Sequence, residues 1–185
     1  MFRALSRFIL KRIGWRITGH YPHEVKKKIL VAAPHTSNWD FPLGIMIRSV
    51  LNDDIKFVGK ASLFKGPLGS LFHRLGGISV DRSKSNNFVS QVVAEMDKRD
   101  SLNILLAGEG TRKKVERFKT GFYHIARNAK VPILPTILDY EKKEFRFGPL
   151  FTPTSDTEAD IKLIESLFKG IKGHNPEYGF YFPTE

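Results

Sequence analysis

Short apolar runs, each followed by a segment of helical length, recur along this chain, and that alternation restricts it to a small set of folds. Ile29-Leu30-Val31-Ala32-Ala33 is bounded by the basic run Lys26 to Lys28 and by Pro34, and reads as a buried strand. Phe41 to Leu51 then reads as a helix, with Pro42 tolerated in its first turn, Asp40 near its cap and Asn52-Asp53-Asp54 closing it. A second strand at Ile55 to Val58 precedes a helix at Leu63 to Leu75 and the Gly76-Gly77 break. A third at Ile78 to Val80 precedes a helix at Phe88 to Lys98, where Phe88, Val92, Val93 and Met96 repeat at helical spacing. Leu102 to Leu106 runs into the loop Gly108 to Arg112, followed by a helix at Phe122 to Ala129 and a strand at Ile133 to Leu138. Glu144 to Phe147 is a candidate partner for that strand, and Ser155 or Asp156 caps a helix running to about Lys172. The tail Pro176 to Glu185 has no assignment. The pattern predicts an α/β fold: a single-domain sandwich with a largely parallel central sheet flanked by helices. Sites in such folds gather at the carboxyl ends of strands, where His35, Asp81 and Glu109 fall.

At 185 residues the chain fits one compact domain, assigned to 21–185, behind an amphipathic segment at 1–20. On a helical wheel Phe2, Leu5, Ile9, Ile13 and Ile17 share one face, with Arg3, Arg7 and Lys11 opposite. Such a helix either lies in a lipid interface or docks on its own core, and both readings stand at this point. The net charge of +11 predicts a polyanionic partner: nucleic acid, an anionic membrane surface or a phosphate-bearing substrate. Nucleic-acid motifs are absent and the basic residues are spread, so nucleic acid is not expected. No run approaches about 18 apolar residues, and the N-terminal apolar segment is interrupted by cations and lacks a small-residue cleavage site. A cytoplasmic protein, peripheral on the inner face of the cell membrane, is expected. The absence of cysteine removes disulfides, thiolate nucleophiles and cysteine-ligated zinc. His20 and His23 flank Tyr21-Pro22 with only Glu24 nearby, and no metal is expected.

The segment His35-Thr36-Ser37-Asn38-Trp39-Asp40 holds a base and a carboxylate five residues apart. On a continuous helix they would lie about 140° apart, so they meet only where the chain turns between elements. The strand-to-helix junction here is such a place. A carboxylate bonded to one imidazole nitrogen fixes the tautomer and stabilises the cation, leaving the other nitrogen to take a proton from a hydroxyl. Ser37 offers either a nucleophile or a turn residue beside His35, and direct transfer to an alcohol is the preferred reading.

His35-Thr-Ser-Asn-Trp-Asp40 resembles the first block of the glycerolipid acyltransferase family, which includes the lysophosphatidic acid acyltransferases. Gly77-Ile-Ser-Val-Asp81-Arg82 is similar to the second block, Gly108-Glu109-Gly110-Thr111-Arg112 to the third, and Val131-Pro132-Ile-Leu-Pro135 to the fourth. Phe118-Lys119-Thr-Gly121 matches the usual sequel to the third, and the likeness spans roughly residues 29 to 139. The resemblance implies His35 and Asp40 as the catalytic dyad, Arg82 and Arg112 as phosphate ligands, and Glu109, Gly110 and Thr111 as parts of the acceptor site. It implies acyl transfer from acyl-CoA or acyl-carrier protein to a lysophospholipid such as lysophosphatidic acid, with no external cofactor. One departure stands out: Ala107-Gly108 replace the family's usual phenylalanine and proline. That keeps an amino lipid, a lyso-ornithine lipid or a glycolipid open as acceptor. A non-enzymatic basic membrane-binding protein is the reading from another class. Backbone amides near the first block are the expected oxyanion donors.

Overall fold

The computed structural model describes residues 2–80 and 85–180, and among these residues seven strands form one sheet with helices on both faces. Helix α1 (Phe2–Arg12) leads into the short strand β1 (Arg16–Thr18), and the first strand-helix pair is β2 (Lys27–Ala33) with α2 (Asp40–Leu51). Strand β3 (Ile55–Lys60) precedes two short helices, α3 (Ala61–Lys65) and α4 (Gly69–Arg74), then β4 (Gly77–Val80) and α5 (Ser85–Asp97). Strand β5 (Leu102–Ala107), helix α6 (Gly121–Ala129) and strand β6 (Ile133–Asp139) continue the alternation. Strand β7 (Glu144–Phe147), helix α7 (Thr157–Ser166) and a 3-10 turn at Pro176–Tyr178 follow. The strand order is β1-β7-β6-β2-β5-β3-β4, and each pairing is parallel except β6 with β7. The α/β sandwich expected from the alternation is therefore the observed architecture.

The apolar run of β2 explains its central place. Ile29, Leu30 and Val31 are all fully buried because both faces of the strand are covered. Ile29, Val31 and Ala33 pack with Val92 and Met96 of α5, Tyr123 and Ile125 of α6, and Ile164 of α7. Leu30 points the other way, to Leu10 of α1 and Leu43 and Ile47 of α2. Each such side chain contributes roughly 1.5–3 kcal/mol on leaving water. Strand β2 is paired on one side with β5, Ala32 opposite Ala107, and on the other with β6, Ala33 opposite Ile137. That register sets the carboxyl ends of three strands side by side.

Local chemistry moves several boundaries. Helix α1 ends at Arg12 because Gly14 turns to φ +81°, so Ile13 and Ile17 leave the expected helical stripe and Ile17 joins β1 opposite Phe145. The helix expected over Leu63 to Leu75 is two helices, because Pro67 disfavours a helical residue before it and Gly66 is extended at ψ 178°. Asp156, rather than Ser155, caps α7 by accepting the Ala159 N–H at 3.0 Å, and that helix stops at Ser166 instead of near Lys172. Asp81 and Arg82 lie outside the described residues.

Candidate active site

The loop after β2 folds back on itself around one carboxylate. Asp40 is the first residue of α2, where the helix dipole favours negative charge. Its Oδ2 accepts the amides of Thr36 at 3.1 Å and Ser37 at 3.0 Å, and also pairs with His35 Nδ1 at 2.9 Å. Its Oδ1 accepts the Tyr140 hydroxyl at 2.6 Å. Burial works against the charge on Asp40, but the bonds from His35, Tyr140 and the Ser37 amide outweigh it and hold the carboxyl below its ordinary range. An ionised Asp40 requires a proton of His35 on Nδ1, and in the neutral imidazole of that tautomer Nε2 carries the lone pair. The imidazole is 31% exposed against 6% for the Asp40 side chain, so the ring faces outward from a buried carboxylate.

Glu109 follows β5 and is 1% exposed. Its Oε1 accepts the backbone N–H of His35 at 3.0 Å, and its Oε2 has no hydrogen-bond partner among the described residues. Burial raises its pKa, opposed chiefly by that His35 amide, so the environment favours the neutral acid. Glu109 thus sits under the loop and anchors its first residue. The amides of His35, Thr36 and Ser37 are all engaged internally, so an oxyanion donor expected from the first block must lie beyond these three.

Two further contacts hold the loop from outside. Thr36 Oγ1 accepts the Asn175 N–H at 3.1 Å, and Asn175 Nδ2 donates to the Thr36 carbonyl at 3.0 Å. Tyr140 is wedged edge-on between Trp15, at 5.0 Å, and His174, at 5.3 Å. Ser37 Oγ accepts the Trp39 N–H at 3.2 Å, which is the turn role. The loop after β5 then approaches: Gly110 adopts φ +65°, Thr111 Oγ1 accepts the Lys113 N–H at 3.3 Å, and Arg112 Nη1 donates to Asn38 Oδ1. His35, Asp40, Glu109 and Arg112 are therefore gathered, with Gly110 and Thr111 forming the turn between the last two. Tyr140 and Asn175 are additions that no local motif marked. Among the described residues no group of three or more His, Asp or Glu is placed to hold a metal ion.

The family model described as Acyltransferase matches residues 15–139. The chain belongs to the acyltransferase family. It is 31% identical over 133 residues to the 1-acyl-sn-glycerol-3-phosphate acyltransferase of Haemophilus influenzae, covering 67% of this chain and 54% of that protein. It is 33% identical over 125 residues to the protein of the same name from Escherichia coli, covering 64% and 49%. The chain spans about half the length of the curated relatives it matches. In fold it is similar to the crystal structure of the 1-acyl-sn-glycerophosphate (LPA) acyltransferase PlsC from Thermotoga maritima, with TM-score 0.62 and 18% identity over 91% of this chain and 75% of that one.

For an acyltransferase-family chain, Gly108 has a physical use. Its N–H donates to the Ala32 carbonyl at 2.9 Å, extending the β2–β5 ladder by a bond that a proline could not make. The Phe118 ring fills the space a side chain would take, 2.6 Å from an added Cβ.

Proposed function

We propose that the chain moves a fatty acyl group from an acyl-CoA or acyl-carrier-protein thioester to the hydroxyl of a lysophospholipid such as lysophosphatidic acid. The observation that carries this reading is the His35–Asp40 pair at 2.9 Å, with the Arg112 guanidinium bonded to Asn38 of the same loop. His35 Nε2 takes the acceptor's hydroxyl proton as its oxygen attacks the thioester carbonyl. The tetrahedral intermediate collapses with loss of the C–S bond, and the imidazolium returns the proton to the leaving thiolate, giving ester and free thiol. Asp40 holds the imidazole and stabilises its cation through the bond on Nδ1. Arg112 is the phosphate ligand in this scheme, since a guanidinium meets phosphate oxygens two at a time; Arg82 shares that role.

A groove of about 300 Å³ runs from Phe41 and Pro42, directly after Asp40, between α1 and α2 to Phe2 and Leu5, and its apolar lining suits an acyl chain. No helix among the described residues is long and apolar enough to cross a membrane. Helix α1 buries Ser6 and Leu10 against the protein and leaves Phe2, Leu5 and Phe8 more than half exposed beside Arg3, Arg7 and Lys11. That surface supports peripheral binding to an anionic membrane face, consistent with an inner-leaflet location.

The test is thiol release from long-chain acyl-CoA with and without lysophosphatidic acid, for the parent and Arg112→Ala. Acceptor-dependent release, with the variant weakened far more in acceptor KM than in donor KM, is expected. Release that responds to an amino lipid, lyso-ornithine lipid or glycolipid instead would move the acceptor, as the Gly108 loop allows. Release indifferent to every acceptor would refute the reading.

A further inference from the structure

We propose that α3 and α4 form a second lipid-contacting surface, which with α1 seats the protein on an anionic bilayer so that the groove between them opens directly into lipid. The inference deepens the reading of acyl transfer at a membrane and rests on it. Helix α3 buries no residue and α4 buries only Gly69, so this pair presents side chains outward instead of completing the core. Leu63 is 46% exposed, Leu68 57% and Leu71 47%. Continuous hydrogen bonds from Phe72 to Leu68 and from Leu75 to Leu71 carry one helical surface through this segment. At 100° per residue Leu68, Leu71 and Leu75 then fall within about 60° of one another, forming a single stripe.

That stripe is joined to the rest of the site. Leu75 lines the same groove as Phe2 and Leu5 of α1 and Phe41 and Pro42 of α2. The carbonyl of Leu75 accepts from Arg48 of α2, and Phe72 packs on Phe41 at 5.9 Å, so α4 is fixed beside the residue that follows Asp40. Exposed apolar side chains therefore occur on both segments that contribute to the groove, Phe2 and Leu5 on α1 and Leu68 and Leu71 on the stripe that ends at Leu75.

Charge selects the occupant. No Asp or Glu occurs from Ile55 to Val80, while Lys60, Lys65 and Arg74 are exposed there. Residues 1–23 likewise carry no acid. Apolar side chains ringed by cations on both sides of a groove fit an anionic lipid surface, where leucines enter the acyl boundary and cations meet headgroup phosphates. Asp54 precedes this stretch and pairs with Arg48 and Lys56, and the cations that remain in excess disfavour a second copy of the same face.

The experiment is co-sedimentation of the full chain with phosphatidylcholine vesicles, with and without phosphatidylglycerol. It compares the parent, the pair Leu68→Asn with Leu71→Asn, and the control Leu163→Asn, a 55% exposed leucine of α7 on the opposite side of the sheet. The pair should weaken binding to anionic vesicles roughly tenfold to thirtyfold, from the half-exposed area of two leucines, while the control should not. Turnover of detergent-dispersed substrate by the pair should match the parent. Equal vesicle binding by the pair and the parent would overturn the proposal. So would a parent dimer that the pair dissociates while vesicle binding is kept, because a second copy would then be the occupant. Vesicle binding needs no turnover, so binding lost in the pair, from a parent inert toward every acceptor, would leave the surface standing and remove the acyl-transfer reading alone.

Discussion

Replacing Tyr140 with Phe removes one oxygen and leaves the ring between Trp15 and His174 intact, so it isolates a single bond to Asp40. Among the described residues Asp40 is held by four donors, the His35 ring, the amides of Thr36 and Ser37, and this hydroxyl, and the hydroxyl is the only one of the four on Oδ1. A hydrogen bond to a charged acceptor is worth about 1.5–3 kcal/mol, and sparing the half-buried phenol its own burial returns part of that. A net loss of about 1–2 kcal/mol is expected at neutral pH. If the lost bond lets the carboxylate rotate away from Nδ1, kcat should fall about tenfold, the equivalent of about 1.4 kcal/mol. The sign with pH follows from Asp40. Its folded pKa is depressed, so its stabilisation is present above the ordinary carboxylate range and is lost as pH falls through the folded value. Tyr140→Phe brings that pKa back up, so the variant has less of this stabilisation to lose, and its stability deficit against the parent should shrink as pH falls. The checks are thermal unfolding across acid to neutral pH and the pH profile of kcat/KM. A variant with parental kcat and a parental acid limb would refute the argument that the Oδ1 bond positions the dyad.

Glu109→Gln should raise stability at neutral pH and flatten its pH dependence in denaturant titrations. Glu109's folded pKa is raised, so its favourable contribution is complete below the ordinary carboxylate range and is lost as pH rises, a cost the amide avoids. Gly110→Ala should cost about 1–2 kcal/mol in the same titrations, because φ +65° penalises a side chain and its Cβ would lie 2.9 Å from Lys119 Cγ. Asn175→Ala should lower kcat severalfold with little change in donor KM, since it removes the Nδ2 bond to the Thr36 carbonyl and leaves only the backbone N–H bond to Thr36 Oγ1; parental kcat would show that the side-chain strap is dispensable.

The site was legible where it is local. His35 and Asp40 are five residues apart across one turn, and the apolar run before them and the helix after them fix that turn in a short stretch of chain. The same holds for the core faces of β2, β5 and β6, whose runs are short and bounded. Tyr140 and Asn175 were not legible because they reach the loop only through the order of strands, with β6 beside β2, and through the return of the chain after α7. The one available hint was that Tyr140 directly follows a strand's carboxyl end, as His35 nearly does. Glu109 was placed correctly in the chain but not in depth: nothing in Gly-Glu-Gly indicates that the carboxylate turns inward to the His35 amide. The break in α3–α4 was signalled by Gly66-Pro67 and was masked by the leucines that continue at helical spacing across it.

The most direct test of the account is mass-spectrometric detection of the acylated lipid formed from acyl-CoA and lysophosphatidic acid by the parent and by His35→Ala, each shown to be folded by its thermal transition. Phosphatidic acid is expected from the parent and none above background from the variant. Product formed by the folded variant at a near-parental rate would contradict the assignment of His35 as the base.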